Sequence, residues 1–126
     1  MAKILFIDDD RSIQEIISLY LENAGHIAQP ALTGAEGIKR AALDHPDLIL
    51  LDIAMPEMDG GAIMNALKAD PSTANIPVII LTVHDLEDMP KSLNQQDFVG
   101  YLQKPVAMKA LQDAVNEALH LPKATN

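Results

Sequence analysis

The chain has 126 residues, 48% of them apolar, and no cysteine. That fits one ordinary domain with its own core, and it excludes disulfides, thiolate nucleophiles and cysteine-ligated zinc or iron–sulfur centres. The formal net charge of −9 argues against nucleic-acid binding through general electrostatics, because phosphate contacts need Lys and Arg.

The N-terminal "MAKILFIDDD" holds a short apolar run, residues 4–7, stopped by Asp8, Asp9 and Asp10. It is too short for a secretory signal, and no run nears the roughly eighteen apolar residues of a membrane span, so a cytoplasmic protein without a membrane partner is expected. A continuous apolar run before turn-prone residues reads as a buried strand. Ile13, Ile16, Ile17, Tyr20, Leu21 and Ala24 then follow at helical spacing. Ser12 or Asp10 can cap that helix, and Gly25 suits the left-handed position after its end. A weak strand is expected around residues 26–29. The "TGAE" of residues 33–36 is a capping-box pattern opening a helix with Ile38, Ala41 and Ala42, which ends before Pro46.

Residues 48–51 are the next buried strand. Asp59 can cap a helix with Ile63, Met64 and Leu67 inward; a loop and a strand at residues 78–81 follow. Leu86, Met89 and Leu93 have helical spacing, but Pro90 breaks a helix interior, so a late-starting or mobile helix is expected there. "FVGYLQ", residues 98–103, is a fifth strand. The last helix, from about Ala107, presents Met108, Leu111, Val115, Ala118 and Leu119. The domain is expected to span residues 1–121, with residues 122–126 a frayed tail. Strand–helix alternation of this kind gives an α/β, flavodoxin-like, doubly wound parallel sheet, in strand order 2-1-3-4-5 with helices on both faces.

Each strand is followed by a polar residue. Asp8 and Asp9 follow the first, Asp52 the third, Thr82 the fourth and Lys104 the fifth. In a parallel sheet these ends share one edge, outside which ligands bind. Three carboxylates gathered there repel one another, and a hard divalent cation such as Mg²⁺ removes the conflict while bridging to phosphate. With an ammonium and a hydroxyl, the set matches a transferring phosphoryl group, and Asp52 is the carboxylate placed to attack phosphorus. Singly, an Asp after a strand is more often a cap, Thr82 a loop residue and Lys104 a solvated side chain; their joint placement reverses that.

The motifs "ILFIDDD", "DLILLDIAMPEMDG", "IPVIILT" and "GYLQKP", in this order, resemble the receiver domain of bacterial response regulators, the chemotaxis-regulator-like phosphoacceptors of two-component signalling. The resemblance covers Lys3 to about Leu119. It implies that Asp52 accepts phosphate from a histidine kinase or histidine phosphotransfer protein. Asp8, Asp9, Asp52 and the backbone carbonyl of Ala54 would hold Mg²⁺. Thr82 and Lys104 would contact the phosphoryl group, Tyr101 would be the switch aromatic, and the Lys104–Pro105 peptide would be cis. Such a domain is a signalling phosphoacceptor, taking part in its own phosphorylation and autodephosphorylation, rather than an enzyme. Val83 departs from the small residue usual after the Thr and is a tuning candidate, as is His84, for which an exposed loop position is the blander account. Asp10 fits a cap, a solvated residue or a neighbour of the metal site.

Two other functions compete. Asp8-x-Asp10 after a strand faintly resembles the haloacid dehalogenase-like phosphatases, but that reading leaves Asp52 unexplained and lacks the Thr or Val expected after the second Asp. A phosphorylation-independent interaction module is the other, hinted at by Val83 alone. A downstream protein target, or an output domain in a longer protein, would receive the signal.

Overall fold

The computed structural model describes residues 2–55, 59–83, 85, 87, 89 and 93–120. The elements run β1 (Lys3–Ile7), α1 (Arg11–Asn23), β2 (Ile27–Ala31), α2 (Gly34–Asp44), β3 (Leu48–Leu51), α3 (Gly60–Ala69), β4 (Val78–Thr82), β5 (Gly100–Gln103) and α4 (Met108–Leu119). All strand pairs are parallel and the order is β2-β1-β3-β4-β5, as the sequence implies.

β1, β3 and β4 are covered on both faces, which is why their sequences are unbroken apolar runs. Leu5, Ile7, Ile49, Leu51 and Ile80 pack with Ala41 of α2 and Ile63, Met64 and Leu67 of α3. Ile4, Phe6, Leu48, Leu50, Ile79 and Leu81 pack on the other face with Ile17 and Leu21 of α1 and Leu111 and Val115 of α4. Burying each such side chain contributes about 1.5–3 kcal/mol, so the sheet is a rigid platform for whatever its ends carry. Pro30 lies in the edge strand β2, where a missing N–H is tolerated.

Local capping fixes where the helices begin. Asp10, not Ser12, caps α1, accepting from the Ser12 and Ile13 amides. Thr33 accepts from the Glu36 amide, and the Glu36 carboxylate reaches back to the Leu32 amide. Asp59 accepts from the Ala62 amide. Gly25 has φ +87, the left-handed geometry that its place after α1 requires.

Four details differ from the sequence expectations. The second strand is Ile27–Ala31, since the His26 amide still donates to the Leu21 carbonyl at the end of α1, while its ring accepts the Ala2 amide at Nδ1. The fifth strand starts at Gly100; Phe98 packs on the core from outside the ladder, and Val99 is left exposed. Met108 is 40% exposed, beside Asn23 of α1, rather than inward. Of the helix expected after β4, residues 84, 86, 88 and 90–92 lie outside the described residues, and the described ones there form no α-helix: Glu87 is in 3₁₀ conformation, and a 3₁₀ turn follows at Gln95–Asp97. The expected frayed tail also lies outside the described residues.

His26 yields a pH dependence. Its Nδ1 accepts the Ala2 N–H, so the imidazole must be neutral there, and burial, then the positive N-terminus, lower its pKa from 6.5. The unfolded chain therefore binds a proton that the folded chain refuses, and stability is lost as pH falls from about 6.5 through the lowered folded pKa. Urea unfolding should show this loss in wild type, and His26→Gln, which keeps an acceptor without titrating, should show a shallower pH slope. Equal slopes would rule the His26 contribution out.

Candidate functional site

The sheet positions the site directly. The ladder continues one residue past β1, β3 and β5: the Asp8 amide donates to the Ala31 carbonyl (3.0 Å), the Asp52 amide to Ile7 (2.9 Å) and the Lys104 amide to Thr82 (2.7 Å). Asp8, Asp52, Thr82 and Lys104 thus leave the rigid sheet at one edge. Asp8 and Thr82 are fully buried and Asp52 nearly so, whereas Asp9 is exposed.

The two buried carboxylates are answered in the same way. Lys104 Nζ lies 2.5 Å from Asp8 Oδ2 and 3.4 Å from Asp52 Oδ2. The other oxygen of each accepts a backbone amide, from Asp10 to Asp8 (2.9 Å) and from Ala54 to Asp52 (3.0 Å). Charge-assisted bonds of this kind offset the several kcal/mol that burying each ion costs. They do not offset all of it for Asp8: burial pushes its pKa above 3.8 and the Asp52 charge adds to this, against the pull of Lys104 and the Asp10 amide.

Carboxylate oxygens of Asp8, Asp9 and Asp52 lie within 4.8 Å of one another. Three carboxylates against one shared ammonium leave an acid excess, and all the donors are hard oxygens. That donor set fits Mg²⁺, which takes few protein carboxylates and keeps several waters.

The structure therefore brings Asp8, Asp9, Asp52 and Lys104 together and places Thr82, buried, at the end of the neighbouring strand. Ala54 is exposed beside Asp52. Tyr101, in β5, is partly buried and packs against the same core cluster as Met89 and Leu93. Val83 is 60% exposed. His84 lies outside the described residues. Asp10 is a cap whose amide also binds Asp8. The Lys104–Pro105 peptide is cis.

Two glutamines had no place in the sequence reading. Gln103 donates from Nε2 to the Val83 carbonyl (3.2 Å), tying β5 to the residue after Thr82. Gln14 is buried with Ile17 and Leu21 on the inner face of α1. A polar residue at the spacing of an apolar stripe was the available signal for Gln14; nothing in the sequence marks Gln103.

Comparison with known proteins agrees with this geometry. Residues 4–116 match the family described as the response regulator receiver domain. Protein PilH of Pseudomonas aeruginosa is 35% identical over 94% of this chain and 98% of its own length. A DNA-binding dual master transcriptional regulator of Synechocystis, RpaA, is 44% identical over 65% of this chain, a match that spans 34% of that protein. The receiver domain of a sensor histidine kinase from Pseudomonas aeruginosa, solved with a magnesium ion in its active site cleft, superposes with TM-score 0.85 at 24% identity, covering 94% of this chain and 97% of that one.

The segment after Asp52 is held by a close approach. A Cβ on Gly60, at the start of α3, would come 2.9 Å from Ile53 Cα and collide with the Ile53 side chain. Gly60→Ala should therefore lower the unfolding free energy by about 1–3 kcal/mol in urea titration, the usual cost of overpacking. An unchanged midpoint would mean that α3 and Ile53 separate freely.

Proposed function

The chain belongs to the response regulator receiver domain family, and from that premise we propose that Asp52 is its phosphoacceptor. The observation that carries this is the shared Lys104 ammonium on the buried Asp8 and Asp52 carboxylates, with Asp9 alongside. Asp52 sits where the inner strand β3 ends, so its carboxylate is held still, while Asp9 and Ala54 beside it are exposed on the side a partner would approach.

In the transfer, an Asp52 oxygen attacks phosphorus on a partner's phosphohistidine. The P–O bond forms as the P–N bond breaks, and the electron pair returns to the imidazole nitrogen. Mg²⁺, when bound, neutralises the phosphoryl oxygens and the acid excess together. Asp8, Asp9, Asp52 and the Ala54 carbonyl would hold it. Lys104 exchanges its carboxylate contacts for a phosphoryl oxygen, and Thr82 supplies a hydroxyl donor. Movement of Thr82, with Tyr101 following, then biases the surface of β5 and its neighbours between two states. Val83 and His84 are assigned to tuning the rate at which water removes the phosphate.

Asp8 is better read as a holding group than as the nucleophile of a phosphatase. It is fully buried and held by Lys104 at 2.5 Å, whereas Asp52 retains some exposure and meets the same ammonium at 3.4 Å, the more accessible and more loosely held of the two. The partners proposed are a histidine kinase or phosphotransfer protein and a downstream protein, in the cytoplasm. The matched portion of the DNA-binding relative is only 34% of that protein, and this acidic domain is assigned no nucleic-acid contact of its own. Residues 1–121 are assigned to the receiver and 122–126 to a tail.

Treating the protein with acetyl phosphate and MgCl₂ and measuring its intact mass tests the assignment. Wild type should gain one phosphate and Asp52→Asn none. An equal gain in the variant would move the acceptor to another residue.

A further inference from the structure

We propose that Gln14 is a positioning residue for the metal-holding turn: its buried amide clamps the peptide that carries Asp8 and Asp9. The proposal rests on the reading of Asp8, Asp9 and Asp52 as Mg²⁺ ligands and assigns the control of that site to a residue which never touches the ion.

The side-chain amide of Gln14 donates to three main-chain carbonyls: Phe6 (2.9 Å), Asp8 (3.0 Å) and Ala31 (3.1 Å). Two N–H groups serve three acceptors, so at least one bond is shared. The acceptors come from two strands. Phe6 and Asp8 flank the end of β1, and Ala31 ends β2, where it also receives the Asp8 amide. One side chain therefore ties together the ends of two strands and the first turns of α1.

The Asp8 carbonyl is the critical acceptor. It belongs to the peptide unit joining Asp8 to Asp9, so fixing it fixes where the chain sends Asp9. The Asp8 side chain is already held by Lys104 and by the Asp10 amide, and Asp10 caps α1. Asp9, exposed, receives its direction from the backbone. The Gln14 amide N–H also closes on the Asp10 carbonyl (3.0 Å), so residue 14 grips the turn through both side chain and main chain. Outer partners of this kind orient metal ligands, and losing one commonly weakens metal affinity about 10–100-fold.

The other half of the side chain shows which end the fold uses. Gln14 is 5% exposed, and its Oε1 is buried without a hydrogen-bond partner among the described residues. Leaving a buried acceptor unpaired is unfavourable. A Leu or Ile at this position of the apolar stripe would avoid that cost, yet would leave the three carbonyls without the donors that Gln14 supplies.

Gln14→Met keeps volume and flexibility while removing the donors. Calorimetric titration with MgCl₂, at a temperature where the variant is folded, should give an affinity about tenfold weaker than wild type, with the Asp9 and Asp10 amide resonances displaced. A purely structural role would lower the unfolding midpoint but leave the Mg²⁺ affinity within about twofold, and that result overturns the proposal. Should Gln14→Met not fold, wild type decides alone. On Mg²⁺ titration the Gln14 side-chain NH₂ resonances should move with the same midpoint as the Asp9 amide, while those of Gln29, on the opposite face, stay put; stationary Gln14 signals beside a moving Asp9 overturn it. Wild type that binds no Mg²⁺ at all fails differently, removing the metal reading first and this proposal with it.

Discussion

Two carboxylates buried at the end of a hydrophobic sheet are the constraint on which the rest of this structure turns. Asp8 is fully buried and Asp52 nearly so, at the ends of adjacent parallel strands. Each would cost several kcal/mol if left unanswered. The fold answers them from the far side of the sheet, with Lys104 at the end of β5, some fifty residues along the chain from Asp52 and nearly a hundred from Asp8. The sheet order makes this possible, since β3 and β4 separate β1 from β5 and Lys104 must reach back over both. What is stored is an acid excess that a cation relieves and a phosphoryl group can exploit.

Much of this was legible because parallel topology converts sequence position into spatial position. β1, β3 and β4 are buried on both faces and so read as unbroken apolar runs. Once they are recognised, the residue after each lies on a known edge. The edge strands read less well. β2 is partly exposed and contains Pro30, and β5 begins at Gly100 although the apolar run starts at Phe98. The stretch after β4 misled by its periodicity. Met89 and Leu93 do pack on the core as their spacing suggested, yet no α-helix appears among the described residues there.

Gln14 was illegible for a different reason. Its partners are main-chain carbonyls, which carry no sequence signature, and a polar residue within an apolar stripe reads as a flaw in the pattern. Gln103, on the Val83 carbonyl, is a second case. Side-chain identities told which groups gather at the sheet edge. The hydrogen bonds that hold the connecting turns in place emerge only from coordinates, and they bear on how firmly a site built from long-range contacts is preorganised.

A double-mutant cycle on the Asp8–Lys104 ion pair is the decisive measurement. Urea unfolding of wild type, Asp8→Asn, Lys104→Met and the double variant isolates the coupling between the two side chains. If the shared ammonium answers the buried acids, removing Lys104 is much less damaging once Asp8 is neutral, with a coupling of about 1 kcal/mol or more. Effects that add to within about 0.5 kcal/mol, the behaviour of independent sites, would contradict it.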